Sequence, residues 1–342
     1  MRQTVLSALL SCALLLGLPG CAAQAPSPAP DCAPAEENRL VVYTSHKEEV
    51  WRPIVKEFEE RTGIWVDVVY GPTSELLERA SQEEKSPRAD VMFGGGAESL
   101  TAYRHCFTPY VCAGSDHILE RFRAPDGLWT PFSALPVVLI YNTKLVAPGE
   151  ITRWADLLDS RLKGRIAFSD PAASGSSYTA LATMLSALGG GRGETVRRFA
   201  ENLGGVQLDS SGDVLTAVAN GDAWVGITLE ESALKRIAEE KNIAMVYPED
   251  GVSCVPDGTA IVKGAPHEEN ARLFLDFTVS PEVQSLLTSR FCRRSVRDGV
   301  ELLEGVPRLD QLPMVDYDLD RAAADREAIL MTWAFYFGGA GS

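Results

Sequence analysis

The 342-residue sequence is short of positive charge, with 32 lysines and arginines against 47 aspartates and glutamates and a formal net charge of −15. Such a surface repels nucleic acid and anionic lipid over most of its area, which excludes either as the main partner but not a small anion held in a local pocket. Histidine is scarce: His46, His105, His117 and His267 are scattered along the chain. There is no H-E-x-x-H pair, no G-x-S-x-G elbow and no Walker loop. The pattern S-x-x-K occurs at Ser160 to Lys163 and at Ser232 to Lys235, without the S-D-N or K-T-G companions that an acyl-enzyme site needs. These absences argue against catalysis, and no motif asks for a cofactor. Past the N-terminus no apolar run is long enough to span a bilayer.

The first residues read as an export signal, 1–20: Arg2, an apolar run from Val5 to Leu18, then "LPGC" ending at Cys21. "LPGC" resembles the bacterial lipobox, which would make Cys21 the lipidated first residue of an extracytoplasmic, membrane-anchored protein. Pro19 is unusual there, and ordinary secretion is the alternative. The Ala/Pro/acidic stretch 21–38 reads as a solvated tether. An oxidising compartment suits the cysteines: Cys106 and Cys112 bracket "FTPYV", a loop that a disulfide would close, and no His or Cys lies near at zinc spacing. Buried thiols are the other reading. Cys254 could pair with Cys292, leaving Cys32 odd.

From residue 39 onward strand and helix signals alternate. "RLVVYT", "IWVDVVY" and "ADVMFG" read as strands separated by helical patterns, an order that predicts a parallel sheet covered on both faces. "PFSALPVVLIYNTKLV" has no helical period and carries Pro131 and Pro136, so it reads as extended chain passing between lobes. A second α/β series follows, with "RWADLLDSRLKG" read as a helix. The last elements then return to the first lobe. The expected organisation is 39–130 plus 252–305 for lobe 1, 131–251 for lobe 2, and a C-terminal helical segment, 306–342, packed on lobe 2.

The blocks "LVVYTSHKEEVWRPIVKEFEERTGIWVDV", "ADVMFGGGAESL", "ITRWADLLDSRLKGRIAFSDPAASGSSYTAL", "GDAWVGITLEES" and "GTAIVKGAPHEENARLFLDFTVSPEVQSLL" resemble the extracellular solute-binding proteins of ABC importers, in the branch that takes ferric ion, sugar phosphates or aminoethylphosphonate. The resemblance implies the type 2 periplasmic-binding-protein fold: two α/β lobes, each a mostly parallel sheet flanked by helices, joined by crossing hinge strands. It further implies a monomer that closes on a solute in the interlobe cleft and docks on a membrane permease. A sensor subunit that reports to a membrane kinase shares all these features.

The stretch "SDPAASGSSYT" marks the ligand. It joins a strand to a helix, and a helix start there offers unpaired N–H groups with the hydroxyls of Ser174, Ser176, Ser177 and Thr179, while Gly175 admits a ligand to the backbone. That suits a phosphate or phosphonate; one of these hydroxyls is expected only to cap the helix. Ser45 and His46, Thr73 and Ser74, and Gly95 stand at similar junctions in lobe 1, and Ser211 and Thr228 in lobe 2. Tyr43, Trp129 and Tyr178 could cover the ligand or pack in the core. His46 matches the place where ferric-binding relatives carry an iron-ligating His, and Glu75 lies near their ligating carboxylate. The tyrosine pair those relatives need is replaced by Leu229 and Glu230, and hard Fe(III) requires anionic oxygens. Glu230 is instead expected to receive hydrogen bonds from the solute's hydroxyl or ammonium groups.

Overall fold

The structure, a computed structural model, describes residues 34–239 and 242–340. The export signal, Cys21 and Cys32 lie outside the described residues. The first strands are β1 (Arg39–Thr44), β2 (Trp65–Tyr70), β3 (Val91–Gly96) and β4 (Phe107–Thr108), and the second series is β5 (Thr130–Asn142), β6 (Ile166–Ala167), β7 (Val225–Leu229), β8 (Ile243–Val246), β9 (Cys254–Val262) and β10 (Arg294–Ser295). The helices are α1 (Glu48–Thr62), α2 (Thr73–Gln82), α3 (Ala97–Ala102), α4 (Gly175–Leu188), α5 (Arg192–Leu203), α6 (Ser211–Asn220), α7 (Glu230–Glu239), α8 (Glu268–Thr278), α9 (Pro281–Phe291), α10 (Leu319–Ala324) and α11 (Arg326–Ala340).

The path of pairing runs β2-β1-β3-β9-β5-β7-β6, parallel among β1, β2 and β3 and between β6 and β7, antiparallel elsewhere. Strand β5 belongs to both lobes. Its residues from Thr130 to Pro136 pair with β9, and those from Val137 to Tyr141 pair with β7. Pro131 sits where the β5–β9 register shifts, a place where the missing N–H breaks no ladder. The chain returns to the first lobe along β9, whereas β8 stays beside β5 in the second.

Helices cover both faces of each lobe, as buried strands require. In the first lobe Phe58, Phe93, Phe132 and Phe274 form the core on one face, with Leu77, Met92, Leu100 and Trp129 on the other. In the second, Trp154, Tyr178 and Phe199 pack together with Ile329 and Trp333 of α11, opposite Val138, Ile140, Val214 and Val218. The C-terminal pattern is two helices instead of one: α10 lies against α3 of the first lobe and α11 against α5 of the second.

Two expectations need correction. "RWADLLDSRLKG" forms two 3-10 turns, Trp154–Leu158 and Ser160–Leu162, because Asp156 and Asp159 bond nearby backbone N–H groups and Asp250 takes those of Trp154 and Ala155. Cys106 and Cys112 are free thiols. They are buried in separate clusters, Cys106 with Leu76 and Met92, Cys112 with Ile118 and Phe122, so the loop between them closes without a disulfide. Cys254 and Cys292 are free as well.

Close packing of β7 against α6 generates one test. A Cβ on Gly226 would lie 2.8 Å from Val214 and 3.0 Å from Val218, both branched and buried. Gly226→Ala is therefore expected to lower stability by about 1–3 kcal/mol, read as a drop in urea midpoint at unchanged slope.

Candidate functional site

A cavity of about 340 Å³ lies between the lobes. Six helices, α1, α2, α3, α4, α6 and α7, begin at its walls, and this follows from the α/β arrangement, in which strands end and helices start on the crevice side. The first lobe contributes Ser45, His46, Thr73 and Gly95; the second contributes Ser174, Gly175, Ser176, Ser211 and Thr228. Ser174 is the cap of α4: its Oγ accepts the Ser177 N–H at 3.3 Å and lies 3.1 Å from Ser176 Oγ. The N–H groups of Gly175 and Ser176 have no acceptor one turn back, as at any helix start. Ser210 caps α6 through a reciprocal pair with Asp213. Gly94 needs its freedom here, with φ of +111° and a Cβ position 2.8 Å from Ser45 Oγ.

Seven of the residues considered as contacts do not line the cavity. Ser177 Oγ turns to Ser169 Oγ at 2.5 Å, and Tyr178 is fully buried with its hydroxyl donating to the Ala322 carbonyl. One residue along a helix is about 100° of rotation, so neighbours of Ser176 face elsewhere. Ser74 reaches across the gap to the Ala173 carbonyl at 3.3 Å, a lobe-to-lobe bond. Glu230 is corrected outright: its carboxylate is held by Arg294 in two bonds of 2.7 Å and by the Tyr247 hydroxyl at 2.5 Å, buried away from the cavity. Tyr43 and Trp129 are core residues, and Glu75 is exposed outside the cavity.

The group missed in the sequence is Arg293. Its side chain is 7% exposed and lines the cavity. Nη1 donates to Asp257 at 2.7 Å and to Ser133 Oγ at 3.0 Å, while Ser133 in turn donates N–H and Oγ–H to Asp257. Nη2 lies 3.8 Å from Glu231, and Nε has no hydrogen-bond partner among the described residues. The signal was the adjacent pair Arg293-Arg294 just past α9: successive residues of an extended segment point to opposite sides, so one of two arginines entering β10 had to turn inward. Burial opposes ionisation of Glu231, yet Arg293 and Lys235, with Ser232 and Lys47, hold its carboxyl below the usual range. Lys235 also meets Glu49 of α1 at 2.9 Å, a second bond across the cleft.

His46 packs edge-on against Phe93 with centroids 4.5 Å apart, and Nε2 lies 3.7 Å from Asp257 without a hydrogen bond. Burial, then the charge of Arg293, hold its imidazole neutral to well below pH 6.5. In the unfolded chain it takes up a proton near the ordinary value, so below pH 6.5 the unfolded state binds more protons and stability falls as pH falls. The expected slope from this group is about 1.4 kcal/mol per pH unit until the folded imidazole itself titrates. His46→Gln should lose that component, measured as the difference between the two proteins' urea midpoints at pH 7, 6 and 5.

With the site described, similarity to known proteins can be set beside it. The family described as bacterial extracellular solute-binding protein matches residues 86–319. Iron uptake protein A1 of Synechocystis sp. is 26% identical over 84% of this chain and 84% of its own. A putative 2-aminoethylphosphonate-binding periplasmic protein of Salmonella typhimurium is 28% identical over 71% of this chain and 73% of its own. The solved structure of the periplasmic binding protein AfuA from Actinobacillus pleuropneumoniae, with exogenous fructose-6-phosphate bound, superimposes with a TM-score of 0.81 at 24% identity, covering 88% of this chain and 98% of that one.

Proposed function

The chain belongs to the bacterial extracellular solute-binding proteins, and on that premise we propose that it captures a small organic solute bearing a phosphate or phosphonate group and presents it to an ABC permease. The observation that carries this reading is the meeting, in one cavity, of the α4 start at Ser174 to Ser176 with the guanidinium of Arg293 from the other lobe. Helix N–H groups and a partly unsatisfied arginine are the donors that tetrahedral oxyanions accept. A volume of about 340 Å³ leaves room for an organic portion beyond the anion, and Asp209, Ser210 and Glu231 supply acceptors for its hydroxyl or ammonium groups. The Salmonella relative and the Actinobacillus neighbour, by their names, handle solutes of this kind.

Closure would bring 39–130 with 252–305 against 131–251 about the β5–β9 crossing, with the protein tethered outside the cytoplasmic membrane through Cys21. The ferric reading draws on the Synechocystis relative and on His46, Tyr70 and Glu231 at the cavity wall. The donor chemistry disfavours it: one phenol stands at the rim, Glu230 is committed to Arg294, and neutral hydroxyls with a guanidinium suit an anion, not a hard trication.

A thermal-shift panel of 2-aminoethylphosphonate, fructose-6-phosphate, inorganic phosphate and ferric citrate separates the readings. A solute at a hundred times its Kd should add about 2.7 kcal/mol of stability. For the organophosphorus solute that shifts the melt, Ser176→Ala should weaken calorimetric affinity about tenfold and Arg293→Gln more, while Ser177→Ala has little effect. Unchanged affinity in Arg293→Gln, or a tyrosinate absorbance band appearing with ferric citrate, would overturn the proposal.

A further inference from the structure

Glu98, on α3 of the first lobe, is fully buried at the seam between the lobes. Its Oε1 meets the hydroxyl of Thr179, on α4 of the second lobe, one turn from the Ser174 to Ser176 start. Its Oε2 has no partner among the described residues. The carboxyl folds back over Gly96, where a Cβ would come within 2.8 Å of either oxygen, so the glycine makes its place.

Its surroundings favour one state. Thr179 Oγ1 is within bonding range of two oxygens, Glu98 Oε1 and the Gly175 carbonyl at 3.1 Å. A hydroxyl has one hydrogen to give. If Glu98 is ionised, a fully buried charge has one hydroxyl donor from another residue, no ion-pair partner and an orphan oxygen, an arrangement that dry surroundings penalise. If Glu98 carries a proton, its O–H donates to Thr179 Oγ1, Thr179 donates to Gly175, and no charge is buried.

We propose that Glu98 is a positioning residue of the solute site: as a carboxylic acid it bonds the start of α4 to α3 and so favours the closed cleft, and on opening it gives its proton to solvent. The inference rests on the closure part of the functional reading and not on the identity of the solute.

The groups facing Glu98 agree with a neutral acid. From α11, the charge of Arg326 reaches Glu98, but the guanidinium lies over the Tyr178 ring at 5.1 Å and makes no ion pair with Glu98. From α4, Tyr178 donates to Ala322, and Tyr317, ahead of α10, is a buried phenol with no partner among the described residues. Arg192 and Asp325 neutralise each other beyond these. On the α2 side Glu78 bonds Tyr103, and on β9 Asp257 is held by Arg293. Burial raises the Glu98 carboxyl above the ordinary 4.5, more than the Thr179 bond, its own backbone N–H and Arg326 lower it. The sign follows. An opened, solvated Glu98 ionises above pH 4.5 while the closed one keeps its proton, so the closed-to-open ratio falls up to tenfold for each pH unit above that value, until the closed form also ionises.

The test needs no solute. Small-angle scattering of the whole chain, in buffer free of phosphate, is measured between pH 5 and pH 8.5 for the wild type and Glu98→Gln. The wild type should be compact at pH 5 and expand as pH rises, and Glu98→Gln, whose amide can donate to Thr179 at any pH, should stay compact throughout. A wild-type radius of gyration that does not change with pH, or a Glu98→Gln protein that expands in parallel with it, would overturn the inference. Should Glu98→Gln fail to fold, Thr179→Val removes the acceptor and should move the wild-type expansion to lower pH; an unmoved midpoint would also overturn it. Because no anion is present, failure here leaves the phosphate reading standing, and the converse.

Discussion

The guanidinium of Arg293, desolvated and pinned by Asp257 and Ser133, is the interaction on which the rest of the site depends. Asp257 lies on β9 and Ser133 on β5, the two strands that link the lobes, so the pair fastens the α9 exit to the crossing itself. The next residue, Arg294, turns the other way and binds Glu230 at the start of α7. Two adjacent arginines thus tie a first-lobe helix to the hinge and to the second lobe. A buried ion pair of this kind contributes little net stability, but removing one member leaves an uncompensated charge, which is why each partner constrains the others. An anion entering the cavity meets a cation already dehydrated and oriented.

That local arrangement would let a chain of net charge −15 hold a negative solute. Long-range repulsion is screened within about 10 Å at ordinary salt, and inside the cavity the near field includes helix starts, Arg293 and Lys47. Acidic groups, Glu231 and Asp209, line the same cavity. The cleft is also bridged by polar contacts from lobe to lobe, at Thr179 with Glu98, Lys235 with Glu49 and Ser74 with Ala173. These bonds break when the lobes part, so they belong to the closing equilibrium and not to the stability of either lobe.

Legibility in the sequence tracked locality. Strands β1, β2 and β3 and the extended course of β5 are written in short apolar runs, and Ser174 and Ser210 announce helix starts by the residue type that caps them. Ser177 was unreadable as core, and Tyr178 was left open between cover and core, because the rotation of α4 depends on what packs behind it: Ser169 for one, Ala322 for the other. The exchange between Glu230 and Glu231 has the same origin, since only the position of Arg294 decides which of two neighbouring acids is spent. The two 3-10 turns at Trp154–Leu158 and Ser160–Leu162 carry a helical apolar period, overridden by the distant carboxylate of Asp250.

By itself the sequence determined the α/β alternation, the two-lobed plan, the acidic surface and the hydroxyl-rich helix start, all of which rest on contacts within a few residues or on sums over composition. Only the tertiary structure decided that Arg293 enters the cavity, that Glu230 leaves it, that Cys106 and Cys112 face different cores, and that Glu98 is buried against Thr179. Each of these depends on residues from tens to more than a hundred positions apart meeting in a dry interior. There a charge must find its partner or give up its proton, and no local pattern states which.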